Sequence, residues 1–323
     1  MADSLHLIVY PVIQFWKGRE GVMGNKEIDS TKGLVQVTLA HVIWGMLPLY
    51  WSLLNHVSSF EVMMNRMLWT ALFCALYFLV RGRNPLRIAQ DIFRTRNVWL
   101  LFISAVLISV NWVAFLYTVA SGHVLQASMA YFISPLLLVL FAFIFFRERM
   151  SLIQSAALLL CLSGVVYTTI LSGVIPYFSL LIATTFAAYT ICKKALHLDG
   201  IQALLMDGLI ILPLSLSYIL YLSVSGNGSY SLSDPKTTLL LVFSGIVTLI
   251  PLALYISGNM SVSAMSVGFL QYILPTMAFL LGVFVFREPF MAHDVITFSL
   301  IIAGVAIYLV SLRKKAAVQT NPS

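Results

Sequence analysis

Residues 121–150 read SGHVLQASMAYFISPLLLVLFAFIFFRERM, and the core of that stretch returns as QYILPTMAFLLGVFVFRE at residues 271–288. At an offset of 140, Ile133 meets Ile273, Pro135 meets Pro275, Leu140 meets Leu280, Phe146 meets Phe286, and Arg147-Glu148 meets Arg287-Glu288. The offset holds into the next segment, where Gly164-Val165 falls on Gly304-Val305. Apolar letters alone match between any two membrane helices. A mid-segment proline and a terminal Arg-Glu pair in common register do not, so the chain reads as two copies of one unit.

Sixty per cent of the residues are apolar and only 10% are charged, with a mean hydropathy of +0.95. A soluble domain carries about 25% charged residues. The composition predicts an all-α polytopic membrane protein. The three cysteines, Cys74, Cys161 and Cys192, sit in apolar segments without CxxC or Cys/His spacing, so neither a disulfide framework nor a metal site is expected.

Apolar segments of spanning length follow one another at about 34–54, 61–80, 97–117, 124–146, 152–172, 174–194, 201–222, 237–257, 262–286 and 293–312. These are ten predicted transmembrane helices, and subtracting the offset from the last five returns the starts of the first five. Residues 34–172 form the first five-helix repeat and residues 173–312 the second. An odd number of spans per copy makes the second enter the membrane upside down, the inverted-repeat plan of many transporters.

Charge fixes the orientation. With a cytoplasmic N-terminus, sixteen basic residues fall inside, among them Arg81, Arg83, Arg87, Arg94, Arg96, Arg147, Arg149, Lys193, Lys194 and Arg313-Lys314-Lys315, while Lys236 and Arg287 fall outside. That imbalance obeys the positive-inside rule with both termini cytoplasmic, and it makes the net charge of +7 a report on topology, not on a nucleic-acid partner. Residues 1–33 are expected to be a cytoplasmic N-terminal segment. Their apolar run from Leu5 to Trp16 is too short to span and lacks the flanks of a signal peptide. The segment reads either as interfacial or as lying upstream of a start at Met23. Residues 313–323 are the C-terminal tail, and the Gly- and Ser-rich loop at 223–236 receives no function.

Motifs for catalysis are absent: there is no HExxH, GxSxG or Walker loop, and the histidines lack ligand spacing. No cofactor, metal or ATPase domain is expected. Pro135 and Pro275 interrupt the fourth and ninth spans, and a proline frees a backbone carbonyl that needs a partner or a wet cavity. They are the expected hinges, with Tyr131, Gln271 and Tyr272 beside them facing the cavity. Arg66 lies about 7 Å below the outer end of the second span and Asp207 about 9 Å from the inner end of the seventh. In a core about 30 Å thick that separation argues against a direct bridge. Intramembrane charges are functional candidates by default, against snorkelling for Arg66. Asp207, Glu61 and His123 are candidates for coupling; interfacial placement for Glu61 and turn capping for His123 are the competing readings. Trp44 and Tyr50 in the first span and Asn111-Trp112 in the third complete the expected lining, against a packing notch held by interhelical hydrogen bonds.

WGMLPLYW at 44–51, Glu61, Arg66 and Trp69, the Asn111-Trp112 pair, SGHVLQASMAYFISPL followed by RER, Lys193-Lys194, and GFLQYILPT at 268–276 resemble RarD-type permeases of the EamA branch of the drug/metabolite transporter superfamily. The resemblance runs from about residue 31 to 315. It implies a ten-helix basket in a bacterial inner membrane, a central cavity lined mainly by spans 1, 3, 4, 6, 8 and 9, and peripheral spans 5 and 10. Members of the superfamily move amino acids, purines, sugars or drugs, generally without ATP. Asp207 stands where a glutamate is usual, and SGIVTLIP in the eighth span departs from a more usual Gly-Pro before the Val-Thr.

The sequence therefore predicts a secondary transporter of a small metabolite working by alternating access, with the lipid bilayer and a small-molecule substrate as partners and a homodimer as a candidate assembly. A channel or receptor-like assembly factor would need no inverted repeat. A membrane-embedded enzyme would need nucleophile, base or metal ligands clustered at one depth.

Overall fold

Ser30 opens the first helix by accepting a hydrogen bond from the Gly33 amide at 3.0 Å, the standard answer to the orphan donors at a helix start. The computed structural model describes residues 30–121, 124–146, 148, 150–173, 177–231, 233–285 and 292–320. Its helices are α1 (Thr31–Trp51), α2 (Ser59–Val80), α3 (Pro85–Thr95), α4 (Val98–Ala120), α5 (Val124–Phe146), α6 (Leu152–Ser172), α7 (Tyr177–Leu196), α8 (Gly200–Ser225), α9 (Pro235–Asn259), α10 (Ala264–Gln271), α11 (Ile273–Phe284) and α12 (Ala292–Thr320). The described residues contain no strand. All ten expected spans are helical, α10 and α11 together forming the ninth.

Among the described residues seven helices are long and apolar enough to cross a bilayer by those measures alone: α1, α2, α4, α5, α6, α8 and α9. The other three spans fall short for separate reasons. α7 ends in Lys193 and Lys194, the ninth span is broken into two pieces, and the described side chains of α12 form an apolar stretch at Val295–Ser311. The molecule is turned inside out relative to a soluble domain. Leu72, Leu76, Leu79, Phe102 and Val106 are exposed, while Asn65, Thr70, Ser104, Asn111, Thr190 and Asn259 are buried. Polar side chains in hydrocarbon must find one another, so they collect between helices.

Short turns make successive spans antiparallel. The near face is taken as the one where α1 starts, the far face as the one where it ends. At the near face lies an element the span reading did not foresee. Asn84 accepts from the Leu86 and Arg87 amides at 2.9 and 3.3 Å, Pro85 supplies the first turn, and α3 follows with Ala89 and Ile92 buried on one side. The five arginines counted there as loop charges flank or decorate an amphipathic helix lying between two spans.

The seam between α6 and α12 carries the sequence repeat into three dimensions. A Cβ on Gly164 of α6 would sit 3.2 Å from both the Thr297 carbonyl and Ile301 of α12. One on Gly304 of α12 would sit 2.7 Å from the Ala157 carbonyl and 2.6 Å from Cys161 Sγ of α6. Gly164 and Gly304, Ala157 and Thr297, and Cys161 and Ile301 are pairs at the same offset of 140. The contact is thus self-complementary, as a two-fold relation requires. Because the helices run antiparallel, the axis lies across them. Other contacts obey the same exchange: α5 packs on α7 as α11 packs on α1, and α4 on α7 as α9 on α1.

Of the two proline-bearing spans, one is broken. α10 stops at Gln271 and α11 starts at Ile273, so the ninth span breaks at Tyr272, in the turn preceding Pro275. The Tyr272 amide bonds back to the Phe269 carbonyl at 3.3 Å, and the Thr276 hydroxyl caps the Tyr272 carbonyl at 2.8 Å. α5 runs unbroken through Pro135. Both prolines are buried, and the Pro135 carbonyl faces Gly268 of α10.

Candidate substrate chamber

At the near end of the bundle, two lysines that read as loop charges lie in the interior. Lys193 Nζ is 2.6 Å from Asp207 Oδ1, and the Tyr189 hydroxyl donates to Asp207 Oδ2 at 3.0 Å; the ion pair is almost wholly buried. Lys193 stands four residues after Tyr189 on α7, so both reach the same carboxylate on α8. Lys194 donates to the Asn259 carbonyl at 3.0 Å and to the Val262 carbonyl, placing a cation against the C-terminus of α9. Glu148 accepts from the Ala264 and Met265 amides at 2.8 and 2.9 Å, placing an anion at the N-terminus of α10. Together these charges grip the turn between α9 and α10. Asp207, a candidate for coupling, is paired here because a long lysine one helix away reaches it.

At mid-depth the lining is aromatic. Trp44 of α1 lies 5.2 Å from Tyr255 of α9 and 6.3 Å from Phe186 of α7, ring centre to ring centre, with His41 edge-on to Trp44 and Tyr255 at 5.5 Å from each. His41 Nδ1 bonds to the Val37 carbonyl at 2.7 Å, while its Nε2 is buried without a protein partner. Tyr255 in turn shares a hydrogen bond with Thr190 at 2.8 Å.

Toward the far face the chamber turns cationic. The Arg66 guanidinium lies 5.5 Å from the Trp51 ring and 5.3 Å from the Trp112 ring, one indole from α1 and one from α4. Tyr131 of α5 is within its electrostatic reach. Arg66 has no ion pair among the described residues, and its Nε is buried without a hydrogen bond.

The loop after α8 is held at the far rim. Glu61 accepts from the Ser229 amide at 2.7 Å and from its hydroxyl at 2.8 Å, and Trp69 Nε1 donates to the Tyr230 hydroxyl at 2.8 Å, which itself donates to Asn65. Glu61 therefore acts as a clasp for the loop that received no function from sequence. Glu61→Ala removes two hydrogen bonds to a charged acceptor, each contributing about 1.5–3 kcal/mol. The expected outcome is faster amide exchange and proteolysis confined to 226–234, with the remaining spans as protected as before, as read by hydrogen–deuterium exchange.

The other expected residues fall on both sides of the chamber wall. Asn111 spends its amide on α7, donating to the Ile182 carbonyl at 2.7 Å and to Thr185 at 3.1 Å, so it clamps α4 to α7 while its neighbour Trp112 faces Arg66. Tyr50 donates to the Leu240 carbonyl, pinning α1 to α9. Gln271 donates to Ser134 at 2.9 Å, joining the two proline-bearing spans, and its Oε1 is left buried without a bond. Tyr272 is buried, its hydroxyl turned toward Cys161 of α6. His123 lies outside the described residues, as do Arg147, Arg287 and Glu288. Sequence reasoning missed Trp51, Phe186, Tyr189, Tyr255 and Lys193. The seven-residue spacing of Trp44 and Trp51, two turns apart on one face, was the available signal for the first of these.

Among the described residues no group of His, Cys, Asp or Glu side chains is arranged to hold a metal. Polar and aromatic side chains gathered between apolar helices of spanning length make this a polytopic membrane protein. The chain belongs to the EamA-like transporter family, whose model matches residues 31–170, and to its RarD-type members. It is 32% identical over 286 residues to the uncharacterized transporter YojE of Bacillus subtilis, covering 88% of this chain and 95% of that one. It is 30% identical over 281 residues to protein RarD of Escherichia coli K12, covering 87% and 95%. The chloramphenicol-sensitive protein RarD of Pseudomonas aeruginosa is 25% identical over 274 residues, covering 84% and 91%. A protein of known crystal structure superposes with a TM-score of 0.65 at 19% identity, covering 87% of this chain and 98% of that one, which speaks to the fold alone.

Proposed function

We propose that this transporter is a secondary carrier that moves a small organic solute without ATP, by exposing one central chamber to the two sides of the membrane in turn. The near face is cytoplasmic, with Lys32 and the arginines around α3 on that side, and the membrane is the bacterial inner membrane. Residues 34–172 and 173–312 are the two units that rock against each other, and the break at Tyr272 with Pro275 is where the ninth span bends. No group suited to catalysis is part of the reading.

The observation that carries it is the unequal state of the chamber's ends. Lys193, Lys194, Asp207, Tyr189 and Asn259 are all buried at the near end, whereas Arg66, Trp112 and Trp44 are only partly buried and Tyr131 is exposed. This is what a carrier sealed toward one side and accessible from the other looks like.

The test is to lock the seal. In a variant with cysteines at Glu148 and Met265, a bifunctional thiol reagent ties α5 to the α9–α10 turn. Proteoliposomes loaded with a small-metabolite extract are scored by mass spectrometry for solutes that exchange with labelled external pools. Exchange is expected to stop on cross-linking and to return on cleavage of the linker. Exchange that continues at full cross-linking would show that the near end need not open.

A further inference from the structure

Among the described residues Arg66 has no ion pair and no hydrogen bond at its Nε, and the geometry around it specifies what would fill that place. We infer that the solute is a net-negative carboxylate with an aromatic or apolar body, its carboxylate held by Arg66 and the Tyr131 hydroxyl and its body lying along the Trp51–Trp44 face. This deepens the transport reading and rests on it.

The charges of the interior are otherwise committed. Glu61 is taken by Ser229, Asp207 by Lys193 and Tyr189, and Lys194 by two carbonyls. The guanidinium of Arg66 is held over two indole rings, a contact that engages its faces and leaves its edge donors available. Those donors form a planar fork that matches a carboxylate bidentately. Placing a partnerless cation inside a membrane protein is costly, and the protein gains nothing in packing from its charge. The side chain ends between Trp51, the last residue of α1, and Trp112 of α4, just inside the far rim. The Tyr131 hydroxyl makes no hydrogen bond among the described residues, which leaves it as a second donor.

Two further features narrow the ligand. Trp44 stands seven residues, about 10 Å, from Trp51 on the same face of α1, and there it meets Phe186 and Tyr255. That floor suits an aromatic or apolar body below the carboxylate. No uncommitted carboxylate is described in the chamber, so an ammonium group on the same ligand would meet only neutral donors and rings. A net anion is favoured over a zwitterion of the same shape.

The experiment measures thermal unfolding of the purified full-length chain in detergent, at constant ionic strength, with phenylacetate, phenylacetamide, phenethylammonium and phenylalanine. Phenylacetate is expected to raise the Tm in proportion to the logarithm of its concentration, and the amide, the amine and the amino acid are not. Arg66→Gln is expected to abolish the phenylacetate response while its ligand-free Tm stays equal to or above that of the parent, since an unpaired charge has been removed. Arg66→Lys, which keeps the charge but not the fork, is expected to bind phenylacetate about tenfold more weakly. A response that survives Arg66→Gln, equal responses to all four compounds, no response to phenylacetate, or a fall in the ligand-free Tm of Arg66→Gln overturns the inference. Each of these leaves the locking experiment on the near end free to succeed, so the two readings fail separately.

Discussion

Replacing Lys193 by alanine is expected to destabilise the folded protein by about 3–5 kcal/mol, because it strands a buried carboxylate. Asp207 would retain Tyr189 as its sole hydrogen-bond donor, at 3.0 Å, in a part of the bundle sealed from both faces. The measurement is denaturant unfolding in mixed micelles, with the fraction of monodisperse protein after extraction as a second readout. The partner variant distinguishes charge balance from mere packing. Lys193→Met combined with Asp207→Leu removes both charges and keeps the volume, and such replacements are often neutral or stabilising. Recovery of stability in the double variant is the expected result, and a double variant as unstable as Lys193→Ala would show that the pair contributes through shape and not through neutralisation. The double variant also tests coupling directly. Transport that persists in it would exclude Asp207 as a proton-carrying group.

The second large effect is steric. A Cβ on Gly245 of α9 would lie 2.5 Å from Trp69 Cβ and 2.6 Å from the Trp69 carbonyl carbon on α2, so backbone blocks it from two directions. Thr70 adds a hydrogen bond to the Gly245 carbonyl at 3.1 Å across the same contact. Lipid offers no hydrophobic drive to hold helices together, so close backbone approach at small residues is what joins them. Gly245→Leu is expected to force α2 and α9 apart and leave no extractable folded protein, beyond the usual cost of about 1–3 kcal/mol for overpacking. Gly228→Ala, where the nearest atoms lie at 3.5 Å, is the control and is expected to behave as the parent does in the same extraction assay.

How much of this was written in the sequence divides along the kind of physics involved. Span positions, the repeat and its register were legible, because apolar length and a shared offset are properties of letters in order. The break at Tyr272 was half legible. Pro135 and Pro275 looked alike, yet α5 stays continuous and the ninth span does not. What differs is the neighbourhood: Thr276 gives both its amide and its hydroxyl to the Tyr272 carbonyl, and a serine stands before Pro135 where a leucine stands before Pro275. α3 was hidden by its own arginines, although Leu86, Ala89 and Ile92 already marked a helical stripe. Partnerships were not legible at all. Lys193 and Lys194 look identical to loop lysines until the helix that carries them is seen to run through the centre, and Asn111 and Tyr50 became clamps because the facing helices offered carbonyls that sequence does not locate.

The seam at Gly164 and Gly304 has a bearing on ancestry. Its two sides are the same surface met twice, so a single half of this molecule already owns everything needed to recognise another half lying head to tail. A gene half as long would have sufficed, provided its product entered the bilayer both ways up. Tyr131 and Gln271, equivalent in register, now differ in what they meet: one lies within electrostatic reach of Arg66, the other donates to Ser134.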